Sequence, residues 1–367
     1  MSSALTAFPL QRTPARWALW GSFAVVYLVW GSTFLGIRVA VETLPPLSMA
    51  AVRFLVAGPI LLLASSRAAR PTWLQWRNAA ILGAFFFLGN HGLVSNAARF
   101  IPSSLACLII ATEVPIIALL SSVLLPDRPL TPRSLLGAAL GLLGVLCLFA
   151  GKGNGEAAAH LLACAAVVGA SLCWSMGAVL SQRLQLPRDP VLSAGMQMTC
   201  GGVMLTAASL LRGEPAAIDL AAFSGRSLGA LAYLIAFGSV LAFACYSYLL
   251  KHVRAEAVAT HVFVNPLVAV ALGVWLGGEQ LRPAHLVAGL FILASVCVIV
   301  LGRKGAPSSE ASGRRLLLVG GDEGDGLVEG RHDGEERRAH QHEARPEEEI
   351  VGAAGEGHVA RNQAGDL

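Results

Sequence analysis

Charge is scarce in this sequence: only 14% of its 367 residues are Asp, Glu, Lys or Arg, where a soluble domain carries about 25%. With 55% hydrophobic residues beside that shortage, water is excluded as the solvent for most of the chain. Acidic groups are the scarcer sign, since residues 1 to 304 hold twenty Lys and Arg against nine Asp and Glu, while the remainder reverses the balance with seven against fourteen. Seven cysteines are scattered singly through apolar stretches, without a CxxC pair or metal-ligand spacing. That spacing excludes a disulfide framework and a structural zinc site, so no metal is expected. Short alternating strands are missing, which excludes a membrane barrel. No Walker loop, GxSxG elbow or HExxH motif occurs, so neither ATP-driven pumping by this chain nor these hydrolytic chemistries is expected, and no cofactor is called for.

Long apolar runs are what is there. A spanning helix needs about 20 mostly apolar residues, and ten segments qualify, near 17–38, 46–66, 78–98, 102–125, 134–150, 158–181, 190–211, 227–250, 255–277 and 283–302. Backbone polar groups cannot stay unpaired in hydrocarbon, so the expected class is an all-α membrane protein. Lys and Arg in the connectors divide thirteen to six in favour of the side that holds the N-terminus, which predicts both termini in the cytoplasm. Trp17, Trp20, Trp73 and Trp76 fall at predicted interfaces beside basic residues and read as anchors. The first apolar run extends past Trp30 to Val39 without a small-residue cleavage pattern, so it reads as a span and not as a signal peptide. Segment 1–16 is expected to be cytoplasmic, and 305–367, rich in Gly, Glu, Arg and His, to be a disordered charged tail.

The halves resemble each other. A shift of 144 superposes Trp30 on Trp174, Pro46 on Pro190, Arg53 on Gln197 and Gly58 on Gly202; a shift of 151 superposes Pro115 on Pro266 and Pro132 on Pro283. Residues 17–151 and 157–303 therefore read as two copies of one five-helix unit. Because five is odd, the second copy is expected to enter the membrane upside down, and inverted repeats suit a carrier with a central site. A channel and an intramembrane enzyme are the competing readings. Neither a ring of like charges nor a carbonyl-rich filter motif supports a channel.

Tyr27-Leu-Val-Trp30-Gly-Ser-Thr-Phe34, Pro45-Pro46, Val52-Arg53-Phe54, Gly89-Asn90, Ile101-Pro-Ser-Ser-Leu-Ala106, Val264-Asn265-Pro266 and Gly277-Gly278-Glu279 follow one another in the order seen in EamA-type drug and metabolite exporters. The chain is similar to that family over residues 17 to 303. The resemblance implies ten helices as two inverted five-helix repeats, inner-membrane location, export of a small metabolite, amino-acid-like or drug-like solute, and a cavity between the repeats. Two departures are visible: the Glu the family usually carries after helix 4 has no clean counterpart, since the repeat sets Arg128, preceded by Asp127, opposite Glu279, and Glu113 is the other.

Polar groups inside spans are the site candidates. Glu113 lies mid-span, two positions before Pro115, where an ionised carboxylate costs about 2.5–3.5 kcal/mol on insertion scales. It is the candidate for proton coupling or amine binding, against a structural hydrogen bond to a carbonyl freed by Pro115. Arg53 either snorkels or pairs with an acidic partner or a substrate carboxylate, and its repeat mate Gln197 is neutral, an asymmetry suited to a zwitterion. Asn90, with the alternative of plain interhelical bonding, and His261 with Asn265, four apart on one helical face, extend the set. Trp30, Trp174 and Tyr246 are candidates for lining an apolar pocket. The expected partners are a small-molecule solute and the lipid bilayer, with a homodimer left open and no nucleic acid.

Overall fold

The computed structural model describes residues 15–65, 70–125, 130–149, 155–253, 255–258, 260–280 and 283–301. The expectations for segment 1–14, for Asp127 and Arg128 and for the tail 305–367 lie outside the described residues. Among the described residues every regular element is helical. In chain order the helices are α1 (Arg16–Ala40), α2 (Pro46–Ala64), α3 (Trp73–Ala97), α4 (Ser103–Leu124), α5 (Pro132–Phe149), α6 (Gly155–Leu180), α7 (Pro190–Leu211), α8 (Gly225–Leu250), α9 (His261–Trp275) and α10 (Pro283–Leu301). Their starts follow local chemistry. Pro46, Pro132, Pro190 and Pro283 open α2, α5, α7 and α10, where the missing N–H costs nothing, and Thr72 with Gln75 forms a reciprocal cap on α3.

Seven of these helices, α1 to α4 and α6 to α8, are long and apolar enough to cross a bilayer, while α5, α9 and α10 contain shorter apolar stretches. Large apolar side chains face outward along them, including Leu63, Val123, Leu162 and Leu211, an exposed apolar surface suited to contact with lipid. Trp17, Trp20 and Trp73 are also exposed, whereas Trp76 is half-buried against Ala79, Leu192 and Met196. The interior holds the polar groups: Arg53, Asn78, Asn90 and many Ser and Thr residues are buried.

The packing has a two-fold pattern. The strongest pairings are α2 with α7 and α5 with α10; α1 lies on α8 and α9 as α6 lies on α3 and α4, and α2 meets α8 as α7 meets α3. Exchanging each helix for the one five places on leaves this set of neighbours unchanged. The α2–α7 crossing is close because Gly58 and Gly195 face each other there: a Cβ on Gly58 would stand 2.4 Å from Thr199 Oγ1 and 2.7 Å from the Thr199 amide. Around it Phe54, Leu61, Phe87, Met198 and Leu205 form a buried cluster. In lipid such packing and interhelical hydrogen bonds, not expulsion of water, hold helices together.

Three irregularities depart from the continuous spans expected from hydropathy. Helix α4 is broken at Ala111–Thr112, between Ser103–Ile110 and Glu113–Leu124. Pro115 explains this, since it offers no N–H to the Ala111 carbonyl four residues back and its ring crowds that group; Ala111 O accepts only a long 3.4 Å bond from Val114. The segment expected at 255–277 is likewise divided, a short turn Ala255–Val258 preceding α9. Finally, α3 and α8 each contain a π-helical stretch, Ala84–His91 and Leu234–Leu241, starting 150 residues apart.

The change of shift between the halves has a local origin. The α7–α8 connection is longer than the α2–α3 connection and folds into two 3-10 turns, Glu214–Ala217 and Leu220–Ala222. The extra length delivers Glu214 to the start of α2, where its carboxylate accepts from the Leu47 amide (3.2 Å), the Ser48 amide (2.7 Å) and the Ser48 hydroxyl (3.0 Å). These are amides that the first turn of any helix leaves unpaired.

Candidate functional site

The breaks in α4 and at the start of α9 face one another. Glu113 is the first residue of the second half of α4, and His261 is the first residue of α9. Together with Phe34, Cys107, Ile110, Ala111, Val262, Asn265 and Pro266 they line a cavity of about 60 Å³. That volume admits a few waters or a small polar head group, well under the roughly 300–1,000 Å³ of a drug-sized site. Three of the residues nominated from sequence, Glu113, His261 and Asn265, thus meet in one cavity.

Asn90 joins them through α3. A π-helical turn carries an extra residue per turn and re-aims its side chains, a distortion frequent at functional sites. Asn90 and His91, the last two residues of this stretch, meet different neighbours. Asn90 Nδ2 donates to the Ala170 carbonyl of α6 at 2.9 Å and approaches Glu113 Oε1 at 3.4 Å, while the His91 ring packs against Phe54, Phe87 and Trp174. The backbone carbonyl of Glu113 accepts from Ser175 Oγ at 3.3 Å, also on α6. Across the cavity the Asn265 amide nitrogen, assigned by its surroundings, faces the carbonyls of His261 and Tyr27, each 3.2 Å away. The His261 Nδ1 lies 2.9 Å from the Val258 carbonyl, which makes Nδ1 the protonated nitrogen of the neutral ring.

His261 connects the cavity to an aromatic cluster. Trp30 stands with ring centroids 5.3 Å from Phe243, 5.1 Å from Tyr246 and 5.2 Å from His261, in the tilted and edge-on arrangements that aromatic quadrupoles favour. Its indole Nε1 donates at 3.3 Å to Gly238 O in the π-helical stretch of α8. Trp174, its counterpart, packs instead on Phe86 and His91 in the π-helical stretch of α3, so the two tryptophans occupy separate clusters.

Arg53 and Gln197 lie apart from the cavity lining. Arg53 does not snorkel: it is buried, its Nε donates to Ser239 Oγ at 2.9 Å, and its guanidinium lies 4.8 Å from the centroid of the Phe54 ring. Among the described residues no carboxylate stands within ion-pair distance of it. Gln197 donates to Ser193 Oγ one turn back, at 2.8 Å. Residues that sequence reading passed over are Phe34, Cys107, Ser239 and Phe243. Phe34 was within reach, being one helical turn beyond Trp30 on the same face of α1; Ser239 had no signal, since a π-helical turn leaves no hydropathy mark.

Comparison with known proteins agrees with this architecture. The model of the EamA-like transporter family matches twice, at residues 16–150 and 161–301. The inner membrane transporter YedA of Escherichia coli (strain K12) is 36% identical over 293 residues, covering 78% of this chain and 91% of the relative. A probable amino-acid metabolite efflux pump of Salmonella typhimurium (strain LT2) is 26% identical over 297 residues, covering 79% and 97%. A solved crystal structure shares the fold at a TM-score of 0.53 with 21% identity, covering 80% of this chain and all of that one. The chain, a multi-pass helical membrane protein, belongs to the EamA-like transporter family.

Proposed function

We propose that the protein is a secondary carrier that exports a small metabolite, amino-acid-like or drug-like solute across the inner membrane by alternating access. In this reading all ten apolar helices span, residues 17–151 and 157–303 form two repeats inserted in opposite senses, and both termini are cytoplasmic. The single observation that carries it is the cavity between the broken α4 and α9, one from each half, with Glu113 and His261 leading their half-helices into it. Interrupted helices that meet at mid-membrane expose backbone groups and helix ends to a solute or ion, and irregular backbone is tolerated at that depth only where protein or a wet cavity surrounds it. The exchange-symmetric packing supports this reading, since alternating access needs two nearly equivalent arrangements of the two halves. The names of the relatives, an inner membrane transporter and an amino-acid metabolite efflux pump, agree with the location and the solute class.

Glu113 is the proton-coupling or amine-binding group in this scheme, held by Asn90. A ligand shifts a conformational equilibrium only through differential affinity for its two states, and a carboxylate at the cavity wall supplies that difference when it exchanges a proton for a cation. The test is counterflow in proteoliposomes with labelled amino acids, amines and dyes at two internal pH values. Saturable exchange of at least one solute, dependent on pH, is expected. Non-saturable flux of every solute, as through a pore, would remove the carrier reading.

A further inference from the structure

Three elements that border the cavity are tied together at one point beyond it. After α9 the chain turns at Gly277-Gly278, with Gly278 at φ 60°, and brings Glu279 against the start of α4. Oε1 accepts from the Ser103 amide at 2.6 Å and the Ser103 hydroxyl at 2.7 Å, and Oε2 from the Ser104 amide at 3.0 Å and the Ser104 hydroxyl at 2.6 Å. Arg38, at the end of α1, stands 3.6 Å from Oε1 and donates to the Ile101 carbonyl at 2.9 Å. A bidentate carboxylate on the free amides of a helix start combines charge-assisted bonds with the favourable end of the helix dipole. The seat is cut to the carboxylate: a Cβ on Gly273 would come within 2.5 Å of Oε2.

The segment so held is also a wall of the cavity. Cys107, Ile110 and Ala111 follow Ser103 by four, seven and eight residues, one face of one helix, and all three line the cavity. The segment Ser103–Ile110 ends at the break, so no continuous helix ties it to the rest of α4. One end is fastened by Glu279 and the other is a natural hinge.

We propose that Glu279 is the latch on this wall: the cavity opens toward the Arg38 end of the molecule only when the carboxylate leaves Ser103 and Ser104. Glu279 is then a positioning residue of the transport cycle, acting through α4 without touching solute. The inference rests on the carrier reading above, and by the distribution of basic residues the latched face is the one away from the cytoplasm.

Cys107 is a native reporter, buried in the wall. Full-length protein in vesicles of known orientation is treated with a membrane-impermeant thiol reagent from each side, and labelling of the Cys107 peptide is followed by mass spectrometry. Glu279→Gln is expected to raise the Cys107 rate at least tenfold from the non-cytoplasmic side alone, and Ser103→Ala/Ser104→Ala, which keeps the backbone donors, to raise it less in the same direction. An unchanged rate in both variants, or a rise from the cytoplasmic side, overturns the latch. Should Glu279→Gln fail to fold, the serine variant decides by the same criteria. Faster Cys107 labelling with no counterflow of any solute would remove the carrier reading and leave the latch standing.

Discussion

Adding one methyl group at Gly58 tests whether the α2–α7 crossing is set by backbone contact. A Cβ there would lie 2.4 Å from Thr199 Oγ1, 2.7 Å from the Thr199 amide and 3.1 Å from the Gly195 carbonyl, whereas comfortable carbon contacts begin at about 3.5 Å. Two of the three atoms are backbone, so no rotamer change relieves the clash and the helices must separate by about 1 Å. Forced separation of a packed contact costs about 1–3 kcal/mol, against a gain of about 0.8–1.0 kcal/mol from replacing a helical Gly by Ala. Gly21 on α1 is the control, because nothing lies within 4 Å of its added Cβ and only the gain applies. Gly58→Ala should therefore unfold below Gly21→Ala in a thermal scan of detergent-solubilised protein, with a gap of about 1–3 kcal/mol, the clash alone. Equal midpoints, or a higher one for Gly58→Ala, would show that the glycines are incidental to the crossing.

Other outcomes follow from the site. Glu113→Gln should abolish the pH dependence of counterflow while leaving the protein folded, as read by matched size-exclusion profiles; retained pH dependence assigns coupling elsewhere. Trp30→Phe keeps the aromatic packing and loses the bond to Gly238, at about 0.5–1.5 kcal/mol, whereas Trp30→Ala should cost about 3–5 kcal/mol; equal losses would mean that the hydrogen bond, not the ring cluster, holds α1 to α8. Burial alone would raise the Glu279 carboxyl, but the hydrogen bonds from Ser104 and Ser103 outweigh it and hold the group below the ordinary carboxylate range. Its contribution to stability is thus complete above the unfolded Glu value, about 4.3, and lost as pH falls through the depressed folded value. Thermal midpoints should drop in that acid window, and Glu279→Gln should flatten the drop; parallel curves for the two proteins would refute the assignment.

Much of this architecture was legible in the sequence, because hydropathy over 20-residue windows is a strong signal and prolines mark helix starts. Expected and observed bounds agree closely for α7, whose span 190–211 is reproduced. The convergence of Glu113, His261 and Asn265 was only partly legible: each stood out as a polar group in an apolar run, but their meeting depends on breaks that a hydropathy average smooths away. Pro115 and Pro266 superpose at a shift of 151, whereas Glu113 and His261 lead their half-helices 148 residues apart, so the sequence match hid their equivalence. Arg53 shows the opposite limit. Its position predicted snorkelling or an ionic partner, and it instead found Ser239 on a π-helical turn that nothing in the residue pattern announced.

The carboxylates that seal the starts of α2 and α4, Glu214 and Glu279, both belong to the second half of the chain. During synthesis the earlier helices therefore enter the bilayer with those amides still bare, and must wait for more than 160 further residues before their seals emerge. Assembly of this molecule is accordingly a late event, completed from the C-terminal side, and a polypeptide truncated before Glu214 should be inserted yet remain loose and open to degradation.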